Sequence, residues 1–336
     1  MTSPGTPPDP LRSTPAVTPT VPAELARSAP LARWACFLIG AGAAIAGLAP
    51  WLVTGMRLPL QNLWEDATSP DDMPLVLLPF SQYAVILLFS IIVVGAALAG
   101  LCARPLSARM PVGGRALVMV GVISVQLIAV VQTAAVVGDG LQDRTESAFY
   151  LTALVVGTVC SMAAGVVAFW LIARAPRAGA MLGLTVAAIA VSPWLTQLVS
   201  PFGTVPSDVV VWVLAGAQWI TPVLTGIAIG WTGLNTVGRM LSSLVALALV
   251  WVAPALVTGL ASATGTRVLA SDLAGMADYG VQVFVTALFI PELAARPIIA
   301  AVVAAALSYA VFFMLGRRRA AQLAAATSTA APTRGA

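Results

Sequence analysis

Apolar residues run in long unbroken blocks along this chain, and polar residues collect in the gaps between them. A block of about 20 apolar residues fits a helix crossing a ~30 Å hydrocarbon layer, whereas alternation at every second residue would mark a barrel strand. Eight blocks stand out, at roughly 34–56, 75–101, 115–138, 148–173, 179–199, 209–231, 239–261 and 296–316. The pattern predicts an all-α polytopic integral membrane protein with eight transmembrane helices.

Before the last block, nearly everything from Tyr279 to Arg319 is apolar, enough for one crossing or two. The stretch 280–290 is too short to cross alone, and Glu292 and Arg296 follow it between Pro291 and Pro297. One crossing is therefore expected. The segment near 268–291 reads as an external helix lying on the membrane surface, with Leu269, Leu273 and Met276 at helical spacing. A re-entrant half-helix is the alternative, and it needs protein around it to satisfy its backbone.

Residues 1–30 are rich in Pro, Thr and Ser and cannot bury enough apolar area to offset ordering, so a disordered tail is expected. The first block then reads as a retained span rather than a signal peptide. Residues 317–336 form a second, Arg-rich tail.

Charge decides the threading. All 17 basic residues are Arg, and 13 of them fall with the two tails or in the gaps after the second, fourth and sixth spans. The anchors are Arg104, Arg109, Arg115, Arg174, Arg177, Arg317, Arg318 and Arg319, with Arg33 and Arg239 beside them. By the positive-inside rule both termini are cytoplasmic, and the expected location is the plasma (inner) membrane, multi-pass. Eleven of the 13 acids fall on the opposite side, in agreement. The Arg-only basic set, with its Ala, Gly and Pro load, fits a GC-rich bacterial genome.

Internal correspondences predict two parallel four-helix halves, 31–178 and 179–316. Pro50 and Pro193, Pro79 and Pro222, and Arg174 and Arg317 each stand 143 residues apart. The third and seventh spans pair at 124, and the extra external segment before the eighth span restores the difference.

Composition narrows the chemistry. With 59% hydrophobic and 9% charged residues the chain is far from a soluble domain, where about 25% are charged. Having neither His nor Lys, it offers no imidazole base, Schiff base or His-ligated zinc, and it carries no Walker or Rossmann pattern. No metal or cofactor is expected, and the Arg residues flank spans in a way that argues against nucleic acid. Cys36, Cys102 and Cys160 are isolated and read as buried small hydrophobes rather than a disulfide framework.

The first external loop gathers Arg57, Glu65, Asp66, Asp71 and Asp72 near Trp64. Such carboxylates suit a hard cation with a phosphate head group, or a general base, while a solvated loop is the plainer reading. A second loop holds Asp139, Asp143 and Glu146 around Arg144. No ionisable residue falls near an expected midplane, which disfavours a carrier running on a buried carboxylate. The polar residues inside spans are neutral: Gln82, Tyr83, Gln126, Gln132, Gln197 and Gln218. They are read either as interhelical hydrogen-bonding groups or as the lining of a substrate route. Pro50, Pro79, Pro193, Pro222 and Pro254 are expected helix kinks. Small residues four apart, as at Gly226 and Gly230, permit close helix approach.

These features favour a permease-like transport component for a small or lipidic substrate, in contact with the bilayer and with a protein partner in the membrane or a cytoplasmic ATP-binding subunit. A non-catalytic subunit or scaffold of a cell-envelope complex, and a transferase or hydrolase using Asp71 and Asp72, are the alternatives.

Overall fold

The computed structural model describes residues 30–61, 63–66, 68–201, 207–266 and 272–329. The expected disordered tail up to residue 29, Arg267, Leu269 and Arg334 lie outside these residues, as does the side chain of Arg319. Among the described residues ten α-helices form: α1 Arg33–Val53, α2 Val85–Leu106, α3 Gly114–Gly140, α4 Thr145–Arg174, α5 Arg177–Val199, α6 Asp208–Ala217, α7 Ile220–Thr232, α8 Val237–Gly265, α9 Leu273–Leu288 and α10 Pro291–Thr329. Among the described residues there is no strand, only isolated bridges pairing Arg57 with Leu75 and Trp64 with Leu141. Eight helical stretches are long and apolar enough to cross a membrane; α6 and α7 together make one of them, Asp208–Thr232.

Helix packing follows one order in each set of four spans. In the first set α2 packs most extensively on α4, and α1 on α3 and α2, while α3 meets α4 along a narrower seam. In the second set α7 packs most extensively on α10, and α5 on α7 and α8, while α8 meets α10 along a narrower seam. Small residues bring these helices close. Gly100 lies against Phe169 and Ile172, and Gly226 against Ala301 and Ala304. The sets join where α5 meets α2 and α4, and where Trp194 Nε1 donates to the Gly47 carbonyl at 2.7 Å.

The second span begins later than its apolar run. Residues 75–81 are not helical; a 3-10 turn, Gln82–Ala84, leads into α2. Val76, Leu78 and Phe80 instead fill a core with Trp51, Leu58 and Met73 at the outer ends of α1 and α3. Pro79 therefore kinks no helix. Pro50, Pro193 and Pro254 do lie inside helices, but Pro222 occupies the first turn of α7, where a missing N–H costs nothing, so it starts a helix rather than bending one.

α9 lies lengthwise along the far half of α8. Gly259 faces Gly280 and Phe284, Gly280 faces Ala263, and Trp251 Nε1 donates to the Leu288 carbonyl at 2.9 Å. This pairing is antiparallel. α10 runs parallel to α7, with Gly226 against Ala301 and Gly230 against Ala305 and Ser308. α7 and α8 are antiparallel across a short turn, so α9 and α10 share one direction and the chain does not reverse at 289–290. The segment therefore packs along α8 before α10 begins.

Of the three cysteines only Cys36 is buried; Cys102 and Cys160 are exposed on α2 and α4. A helix face that meets lipid has no need to hide a small apolar side chain, which is why the expected burial fails for two of the three.

Candidate functional site

The polar residues singled out from sequence separate into three places rather than one cavity. Gln126 is buried in α3, and its Nε2 donates to the Ile92 carbonyl of α2 at 3.0 Å. Gln132 acts on the outer segment: its Oε1 accepts from the Leu77 N–H at 2.9 Å and its Nε2 donates to the Leu75 carbonyl at 3.1 Å. Thr133 Oγ1 accepts from the Leu78 N–H beside it at 3.0 Å. One amide thus does for residues 75–77 what a neighbouring strand would do. Around the same segment the Tyr150 hydroxyl donates to Gln61 Oε1 and accepts from the Gln82 N–H. Tyr83 is exposed, and Gln197 is buried with no partner for its Nε2. Gln82, Gln126 and Gln218 do not line a shared space.

Gln126→Leu is accordingly expected to lower thermal stability only slightly, by about 0.6 kcal/mol, the usual worth of such a bond between spans. A melting curve of the detergent-solubilised protein tests this, and a loss of folded protein would contradict it.

The external acids are surface groups. Glu65, Asp66, Asp71 and Asp72 are exposed, Ser69 Oγ donates to Asp72 at 2.7 Å, and Arg57 reaches the Met73 carbonyl at 3.3 Å. Asp139, Asp143, Arg144 and Glu146 are exposed as well. Among the described residues no three of His, Cys, Asp or Glu gather as a group able to hold a metal ion.

The arrangement with more chemical content lies near two interruptions between helices, one inside the sixth span and one just before the eighth. The sixth span breaks between Ala217 and Ile220, ten residues from its start, or about 15 Å along the axis. That is near half the depth of a ~30 Å hydrocarbon layer. α5 stitches the break. Ser192 Oγ donates to the Ala217 carbonyl at 3.3 Å, Thr221 Oγ1 donates to the Ala188 carbonyl at 2.9 Å, and Gln218 Nε2 turns back to Ala215 at 2.7 Å. The second interruption, at 289–290, divides α9 from α10, and Trp251, the middle residue of α8, holds the carbonyl of Leu288.

Beside the first break, Trp219, Val223, Arg296, Ile299, Val303 and Leu307 line a shallow groove of about 510 Å³ between α7 and α10. Arg296 thus stands beside Trp219, in the second turn of α10 and in an i,i+4 pair with Glu292 at 4.0 Å, and both side chains are more than half exposed.

Sequence reading had noted Gln218 and Pro222 but not Trp219, Glu292 or Arg296 as site residues. The available signal was proline in a first-turn position three residues after Trp219, which marks a new helix start.

The basic residues come together at the opposite end. Arg104 Nη1 donates to the carbonyls of Ile172 and Ala175, and the guanidiniums of Arg104 and Arg177 lie 5.5 and 5.8 Å from the Trp231 ring centre. The Leu31 N–H donates to the Arg109 carbonyl, and Arg115 follows Gly114 at the start of α3 beside Cys36. Arg317 stacks on Phe313 in α10, with Arg318 next to it.

No family model, curated protein or solved structure matches this chain.

Proposed function

We propose that the protein is a permease-like membrane transport component that moves a small or lipidic substrate, located in the plasma membrane with both termini on the cytoplasmic side. The observation that carries this reading is the groove between α7 and α10, where the break in the sixth span sets Trp219 beside Arg296 and its partner Glu292. Discontinuous helices near mid-depth are a common way to expose backbone groups and helix ends to a substrate inside a bilayer. The repeated order of helix packing supports two parallel four-span halves. In that arrangement Gly100 corresponds to Gly226, at a spacing of 126 rather than the 143 that paired Pro79 with Pro222. Motion of α10 against α7 would open and close the groove. Coupling energy would come through a partner at the Arg-rich end.

The test uses cells lacking the protein, complemented by wild type or by Trp219→Ala with Arg296→Gln at matched protein level. Lipids and metabolites are then profiled in cells and medium. We expect one compound class to build up on one side of the membrane in the null and to be cleared by wild type, with the variant slower by about tenfold. Equal clearance by the variant would exclude transport along this groove. The alternative, a non-catalytic subunit of an envelope complex, draws on α10, whose apolar residues Val302, Val303, Leu307, Val311 and Phe313 are uncovered. Co-purification of an envelope enzyme, with no compound displaced in the null, would favour that reading.

A further inference from the structure

We propose that the turn between α4 and α5 binds the phosphate head group of an anionic phospholipid, with one acyl chain lying along α4. This site is at the Arg-rich end of the bundle, apart from the break in the sixth span, and does not depend on the transport reading.

Four observations carry it. A groove of about 500 Å³ runs along α4, walled by Val166, Val167, Trp170 and Leu171 and ending at Arg174, Ala175 and Pro176. Its wall is apolar and its end is basic, which is the polarity of a phospholipid. Arg174 and Arg177 are both exposed at that end. Two guanidiniums, those of Arg104 and Arg177, are held against the single ring of Trp231. Among the described residues no carboxylate is paired with Arg104, Arg174 or Arg177. Like charges held together without counter-charge attract an anion from the surrounding medium.

The backbone adds to this. The first turn of α5 begins at Arg177 and receives no side-chain cap, so its N–H groups face the same space. The last carbonyls of α4 would repel an anion, but Arg104 covers two of them, at 2.5 Å to Ile172 and 3.2 Å to Ala175. Ala175 and Pro176 line the groove, and the capping Arg104 bonds the Ala175 carbonyl. Basic pockets between spans on the cytoplasmic side commonly take lipid phosphates, and each Arg adds substantially to attraction for an anionic leaflet.

The test is native mass spectrometry of the full-length protein in detergent with equal amounts of phosphatidylglycerol and phosphatidylcholine of the same acyl composition. We expect retained phosphatidylglycerol to exceed phosphatidylcholine by about tenfold. Arg174→Gln with Arg177→Gln should bring the ratio close to one, while Arg174→Lys with Arg177→Lys should keep most of it. Arg104 stays untouched, so the cap on α4 is preserved in both variants. Arg317→Gln with Arg318→Gln removes the same charge from α10 and should leave the preference intact. Equal loss in that pair would reduce the effect to diffuse surface charge and overturn the site. An unchanged ratio in the glutamine pair would overturn it too, as would displacement of the lipid by millimolar inorganic phosphate, which would make this a free-anion site.

Discussion

Gly47→Leu is expected to prevent α1 and α2 from packing and to lose about 3 kcal/mol or more of stability, while Gly42→Leu in the same helix leaves stability unchanged. A Cβ at position 47 would stand 2.5 Å from the Gly95 Cα, 2.5 Å from the Ile91 carbonyl oxygen and 2.6 Å from the Gly95 nitrogen. All three are backbone atoms, which cannot rotate aside as a side chain would, so the helices must separate and forfeit contacts along Ala43 and Ala44. Overpacking of this kind usually costs about 1–3 kcal/mol, and a rigid obstacle places it at the upper end or beyond. The same tight approach recurs where Gly40 faces the Val118 carbonyl and Gly121 faces the Phe37 carbonyl, so the strain would spread to α3. At Gly42 a Cβ meets nothing within 4 Å. Thermal midpoints from fluorescence-detected size exclusion decide the matter: equal behaviour of the two variants would mean that α1 does not pack here.

Gln132→Leu together with Thr133→Val is expected to release the outer segment 56–80 from the helical bundle. The pair leaves the N–H groups of Leu77 and Leu78 and the carbonyl of Leu75 without their partners, and Leu78 is fully buried. An unsatisfied buried group costs about 1–3 kcal/mol, so losing both acceptors costs about 2–6 kcal/mol. Such a cost exceeds what a short irregular segment retains against local opening. Amide exchange should accelerate across residues 75–80, with little change in α4 and α5. Ser69→Ala removes only an exposed contact to Asp72 and serves as control. Uniform acceleration across all helices would show instead that the variant destabilises the whole bundle.

The spans were legible because the hydrocarbon layer imposes one length on every crossing, and that length shows as an apolar run. The run at 75–81 misled for a physical reason. Val76, Leu78 and Phe80 are apolar because they fill a protein core, and a sequence looks alike whether its surroundings are lipid or packed side chains. The break at Gln218 and Trp219 was hidden because its flanks, Val213–Leu214 and Ile220, are as apolar as any continuous helix; only Pro222 betrays it. Gln126 and Gln132 were recognised as polar residues inside spans, but sequence does not tell which carbonyl an amide will meet. In the structure both are spent on backbone partners.

Burial is uneven along the chain: two thirds of the best spanning window is buried in the second span, against 6% in the eighth. Synthesis proceeds from the N-terminus, so α1–α4 can close their core and the outer segment above it before α10 leaves the ribosome. α10 then arrives last at a surface offering chiefly the small-residue face of α7, and its remaining sides stay uncovered by the rest of the chain among the described residues. A membrane-bound quality-control protease that grips a loose helix and pulls would find its handle at this end. Abundance in the cell should therefore follow how quickly α10 seats against Gly226 and Gly230, more than how stable the first four spans become.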